Sequence, residues 1–149
     1  MQKNITRVEA NTRGSINEKI KHETDKRIAH LTKHPSLIPA RLRELDREWD
    51  IERALETGSS TLSLTGLLLG LFQNRRWFFL PLAVQTFFLQ HALQGWCPPL
   101  PLFRRLGIRT MREILDERHA LESVLAKGMR AKRNVHQSQG SNRIKAQAL

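Results

Sequence analysis

The chain has 149 residues, with 25 Lys/Arg against 14 Asp/Glu, a formal net charge of +11 and a pI near 11.0. A single cysteine, Cys97, excludes an intrachain disulfide and any zinc site built on several thiolates. The mean hydropathy of −0.45 hides a segregation: residues 1–58 hold 12 basic and 10 acidic side chains, 59–97 hold two arginines and no acid, and 98–149 hold 11 basic and four acidic.

Residues 1–38 read as a polar N-terminal region, partly helical or disordered. Its start, MQKNITRVEANTRGS, has no apolar segment, so no cleaved signal peptide is expected. Ile16, Ile20, Ile28 and Leu31 mark the thin apolar face of a helix that must stop before His34-Pro35, because the residue preceding proline is pushed out of the helical region. Residues 39–57 predict one amphipathic helix. Pro39 suits its first turn, and Leu42, Leu45 and Trp49 share one face among charges of both signs.

Residues 58–97 predict a two-span transmembrane hairpin. A hydrocarbon core about 30 Å thick takes about 20 apolar residues as helix. No residue from Trp77 to Cys97 is charged, and at 1.5 Å per residue that stretch covers about 31 Å, with Trp77 and Trp96 as headgroup-level anchors. Residues 59–74 give a shorter first span of about 24 Å. On it Ser59, Ser63, Gly66 and Gly70 form one stripe of small residues that suits close helix packing in lipid, Gly66 and Gly70 making a GxxxG. Gln73-Asn74-Arg75-Arg76 is the turn, which makes the spans antiparallel. Thr86, Gln90, Gln94 and Cys97 share a face of the second span expected to meet the first span or a second copy, while Gln85 and His91 point elsewhere.

Residues 98–127 predict a proline-rich turn and an amphipathic helix. Pro98, Pro99 and Pro101 end the second span, and Thr110-Met111-Arg112-Glu113 is a capping box opening the next helix. Residues 128–149 lack periodicity and read as a disordered basic tail. Arg41, Arg43, Arg47 and Arg53 precede the hairpin and Arg104, Arg105, Arg109 and Arg112 follow it, against two arginines at its tip. Positively charged flanks stay cytoplasmic, so both termini are expected there. The fold class is thus all-α, a two-helix transmembrane hairpin flanked by amphipathic cytoplasmic helices.

Two segments in order after the second span, Gly95-Trp96-Cys97-Pro98 and Leu106-Gly107-Ile108-Arg109-Thr110, carry a GxCP … LGIxT pattern. Over roughly residues 50–112 the chain resembles the YgaP-like inner-membrane transmembrane domain, a family of small bacterial proteins filed as a domain of unknown function. It departs from the pattern in the insert Pro99-Leu100-Pro101-Leu102-Phe103 between the two halves. The resemblance implies a bacterial inner-membrane location and self-association through the transmembrane helices, and it marks Gly95, Cys97, Pro98, Leu106, Gly107, Ile108 and Thr110 as family residues. Some relatives add a rhodanese domain, but the charged, helical N-terminal flank lacks the strand pattern such a domain needs.

No catalytic constellation, metal-ligand set or cofactor motif stands in the chain; the six histidines are scattered and no Gly-rich phosphate loop occurs. The expectation is a non-enzymatic membrane anchor or assembly element, with membrane lipid as partner and no nucleic acid or cofactor. A thiol-based redox or sulfur relay through Cys97 is one alternative. A soluble, basic, nucleic-acid-binding helical protein is another, supported by the run Lys127-Gly128-Met129-Arg130-Ala131-Lys132-Arg133 but by no interleaved aromatic.

Overall fold

The computed structural model describes residues 7–147. They are all helical, with no strand among the described residues: α1 (Arg7–Ala10), α2 (Gly14–Lys33), α3 (Ile38–Leu45), α4 (Ile51–Phe72), α5 (Phe79–Gln94), α6 (Leu100–Arg105) and α7 (Met111–Gln147). Short 3-10 turns at Pro35–Leu37 and Arg75–Phe78 lead into α3 and α5. The chain divides into two compact units, one taking the N-terminal part up to Glu23 together with Glu48–Leu115, the other Thr24–Arg47 together with Asp116 onward.

In the second unit α2 ends at Lys33, just before His34-Pro35, and Pro35 begins the 3-10 turn, where its missing N–H leaves nothing unsatisfied. Leu31, Ile38, Leu45 and Leu121 are buried. The Glu117 carboxylate is wholly buried, and it accepts from Arg41 Nε at 2.9 Å and Arg27 Nη1 at 3.1 Å. Arg118 pairs with Asp46 nearby.

In the first unit Val8, Ile51, Leu55, Cys97 and Leu100 form the core, with Phe88, Phe103 and Ile108 packed against it. α4 and α5 are antiparallel neighbours, because only Gln73 and Asn74 separate α4 from the 3-10 turn that starts α5. Pro81 falls in the first turn of α5, where the backbone lacks an intrahelical partner in any case.

The continuous helix expected over 39–57 is broken. α3 stops at Leu45, and α4 starts afresh at Ile51 behind Asp50, whose extended backbone and carboxylate make an N-cap: Oδ1 accepts from Arg53 N at 2.7 Å. The Ile51 N–H, which has no intrahelical acceptor, donates to the Arg109 carbonyl at 2.9 Å. Asp50 directly ahead of Ile51, with Glu52 in the first turn and Ala54 and Leu55 following, was a readable start signal, overridden by the amphipathic pattern of the preceding residues. Asp50→Ala is expected to lower stability by about 1 kcal/mol in denaturant unfolding, with Asp50→Asn restoring most of it.

Two further expectations change. The proline-rich turn contains α6, because Pro101 sits in its first turn and begins a helix as readily as Pro98 and Pro99 end one. The tail beyond Gly128 continues α7 as far as Gln147: no proline follows Thr110, and Ala, Lys, Arg, Gln and Met sustain a helix without an apolar face. Residues 1–6 of the polar N-terminal region, and the last two of the tail, lie outside the described residues.

Candidate membrane-facing hairpin

The arms of the hairpin are apolar nearly all round, and their inner faces are specific. Ser63, Gly66 and Gly70 of α4 are buried. A Cβ at Gly66 would lie 2.6 Å from Pro81 Cδ and 3.1 Å from Leu80 Cβ, and one at Gly70 would lie 2.8 Å from Phe78 Cδ1. The two glycines therefore let α4 approach α5 and its leading turn more closely than any side chain permits. Ser59, the fourth member of the stripe, lies outside this contact. Its hydroxyl donates to Glu56 O at 3.1 Å, and it lines an apolar cavity of about 310 Å³ with Leu62, Phe87, Phe88, Cys97 and Phe103.

The polar residues of α5 are arranged differently from the sequence expectation. Gln85 Nε2 donates to Ser63 Oγ at 2.9 Å across the arms, and His91 is buried with Nε2 3.5 Å from Glu52 Oε2. Thr86 instead donates to Leu82 O of its own helix, and Gln94 is exposed. Pro81, Val84, Phe88 and His91, which recur at three- and four-residue spacing, are among the less exposed positions of α5, as are Leu80 and Gln90. That stripe was present in the sequence; grouping the polar side chains, rather than the positions facing the glycines, obscured it.

The outer faces carry large apolar side chains open to the surroundings: Leu71 is 69% exposed, Phe72 85%, Phe79 73% and Leu93 69%. The second arm is shorter than expected, while the first keeps its expected length. α5 runs only from Phe79 to Gln94, 16 residues and about 24 Å, because Trp77 and Phe78 belong to the 3-10 turn and Gly95 takes a left-handed conformation (φ 75°) that ends the helix. The neutral part of α4, residues 57–72, has the same length. No helix among the described residues is long and apolar enough to cross a membrane.

The base of the hairpin is held by charge. Arg7 Nη1 donates to the carbonyls of Ala92 (2.9 Å) and Leu93 (3.0 Å), and Asn11 Nδ2 to that of Gln94 (3.2 Å), so a cation covers the orphan carbonyls at the negative end of α5. Past Gly95, outside the arms, Cys97 is only 2% exposed and belongs to the apolar core. Burial pushes its thiol up, the nearby Glu52 charge adds to this, and a backbone hydrogen bond from Leu100 opposes it. A thiol held in its protonated form is a poor nucleophile. Cys97 is expected to react with a maleimide only after denaturation, as followed by intact-mass spectrometry.

The second half of the motif anchors α7. The capping box forms as the sequence predicts: Thr110 N donates to Glu113 Oε2 at 2.8 Å and Glu113 N to Thr110 Oγ1 at 3.2 Å. Arg104, buried in α6, makes a fork on Glu113, with Nη1 to Oε2 at 2.7 Å and Nη2 to Oε1 at 2.8 Å, and Nη2 also donates to Asn17 Oδ1 at 2.9 Å. Arg109 makes a second fork on Glu48, both bonds 2.7 Å. Gly107 supplies the turn with φ 84°, Ile108 packs on the core, and Leu106 is 68% exposed. Pro98 is exposed. The motif residues therefore shape a turn and a cap, and the side chains that lock them, Arg104, Arg109 and Glu48, were read from the sequence only as flanking charge. No group of three or more His, Cys, Asp or Glu among the described residues is placed to hold a metal ion.

No protein-family model, no curated protein and no solved structure matches this chain. The resemblance drawn above rests on its motif residues alone.

Proposed function

We propose that the chain is a membrane-embedded helical hairpin on a charged helical base, acting as a non-enzymatic anchor or assembly element of the bacterial inner membrane with both ends of the base on the cytoplasmic side. The observation that carries this reading is the outer surface of the arms. Leu64, Leu71, Phe72, Phe79, Leu82 and Leu89 are each 59% or more exposed, on two helices whose own contact buries small residues. Facing water, such a contiguous apolar surface promotes aggregation; facing acyl chains it is in its natural solvent.

The charges are distributed to match. Between Thr57 and Asn74, and again between Trp77 and Cys97, the chain holds no Lys, Arg, Asp or Glu, and His91 lies beside Glu52 at the base. Arg104 and Arg109 are neutralised by Glu113 and Glu48, so contact with anionic headgroups falls to exposed arginines such as Arg53 and Arg105. A sulfur or redox relay is less well supported, because the only thiol is buried and held protonated.

The test is carbonate extraction of membranes from expressing cells, with flotation of the purified full chain on vesicles of phosphatidylethanolamine and phosphatidylglycerol. The protein is expected to stay with the membrane at high pH and to float. A monodisperse protein in detergent-free buffer overturns the reading. If that species were a stable dimer, the apolar surface would be an interface between copies.

A further inference from the structure

The arms end in an abrupt reversal of polarity. Leu71, Phe72 and Phe79 make a collar at the tip, each at least 69% exposed, and Phe72 at 85% is the most exposed large apolar side chain of the described residues. Directly above it stand Arg75 and Arg76, both exposed. Among the described residues neither guanidinium has an ion-pair or hydrogen-bond partner; the bonds made by Arg76 are backbone ones, its N–H donating to Asn74 Oδ1 at 3.0 Å and its carbonyl accepting from Phe79 N. At the end of α4 the Gln73 and Asn74 N–H groups both donate to the Leu69 carbonyl, and neither guanidinium caps a carbonyl there. Beside Arg75 lies an open hollow of about 550 Å³, bounded by Gly70, Gln73, Asn74 and Phe78.

An apolar collar beneath two unpaired cations is the pattern of a group at a membrane interface, with hydrocarbon on one side and phosphate on the other. The near interface is already occupied by the base, where Glu52, Arg53 and Glu56 precede the neutral part of α4. The tip stands about 24 Å away, the length of 16 helical residues, against a core of about 30 Å. Stopping there in an undisturbed bilayer would leave both guanidinium groups in hydrocarbon, a costly arrangement. Thinning the bilayer by the missing few ångströms and extending two long side chains is the cheaper one.

We infer that the hairpin reaches the far leaflet of a locally thinned bilayer, and that Arg75 and Arg76 bind lipid phosphates there, the hollow beside Arg75 admitting the headgroup. This rests on the membrane reading above and adds to it a depth, a topology and a ligand. Guanidinium groups suit the task, since their planar donors meet phosphate oxygens in pairs.

The experiment uses the full chain with Cys97→Ser and Asn74→Cys, labelled with a membrane-impermeant maleimide in intact spheroplasts. The tip cysteine is expected to be labelled from outside. Arg75→Gln/Arg76→Gln is expected to cut that labelling several-fold while membrane retention is unchanged. In proteoliposomes of phosphatidylethanolamine and phosphatidylglycerol, far-side labelling is expected to fall as the acyl chains lengthen from 16 to 20 carbons. A tip that stays unlabelled in a protein resisting carbonate extraction overturns the inference and leaves the membrane reading standing. Extraction by carbonate sinks both. Full labelling of the double-glutamine variant overturns the phosphate contact.

Discussion

Replacing Glu113 by alanine is expected to lower stability by about 3–5 kcal/mol, measured as reversible denaturant unfolding in mild detergent. The magnitude follows from what is left behind. The Arg104 side chain is wholly buried, and among the described residues its two forked bonds to Glu113 are the only contacts that offset its charge. Its remaining bonds go to neutral acceptors, Asn17 Oδ1 and the Ile108 carbonyl, and its Nε has no partner. Removing the carboxylate leaves an uncompensated cation inside the first unit, and it also removes the capping box of α7. Arg104→Met is expected to be milder, because an apolar side chain of similar length leaves only a partly exposed carboxylate that water can reach.

The same variant carries a pH signature. Burial alone would raise the Glu113 carboxyl, but hydrogen bonds from Arg104 and from the Thr110 N–H, together with the Arg104 charge, outweigh it and hold the group below the ordinary glutamate value of 4.5. A carboxyl lowered on folding contributes stability that is fully present above its unfolded value and is lost as the pH falls through the folded one. The gap between the parent protein and Glu113→Ala is therefore expected to be constant near neutrality and to narrow below about pH 4.5. A gap that does not change with acid would assign the loss to packing rather than to the ion pair.

Gly66→Leu is expected to force the hairpin arms apart at a cost of about 1–3 kcal/mol, the range for overpacking a tight contact. Even a methyl group there would lie 2.6 Å from a proline ring carbon, and Pro81 has no rotamer by which to retreat. Gly58→Leu is the control: it lies in the same helix with nothing within 4 Å of its Cβ. Disulfide trapping between Ser63→Cys and Gln85→Cys, in a Cys97→Ser background, reads the separation directly, since those two side chains are hydrogen-bonded in the parent. Efficient cross-linking in the Gly66→Leu protein would show that the glycine is not what sets the approach.

The sequence by itself determined the features whose causes are local. The uncharged block, the Asn74-Arg75-Arg76 turn, the close-packing glycines and the Thr110–Glu113 box each depend on residues within a few positions of one another, so their chemistry is legible in order; the stop at Gly95 is not, because the uncharged run continues past it to Cys97. What only the tertiary structure decided are partnerships across the chain. Arg104 meets Asn17 87 positions away, Arg109 meets Glu48 61 away and Arg41 meets Glu117 76 away, turning what read as flanking positive charge into buried hydrogen bonds and ion pairs. Likewise, Gln85 reaches Ser63 and His91 is buried beside Glu52 because α4 lies on their side of α5. The helix break before Asp50 is secured by an acceptor on Arg109 that no local pattern announces. A periodicity states which residues share a face, but the neighbour that covers the face is fixed by loop geometry and long-range packing, and that neighbour decides whether a charge is solvated, paired or buried.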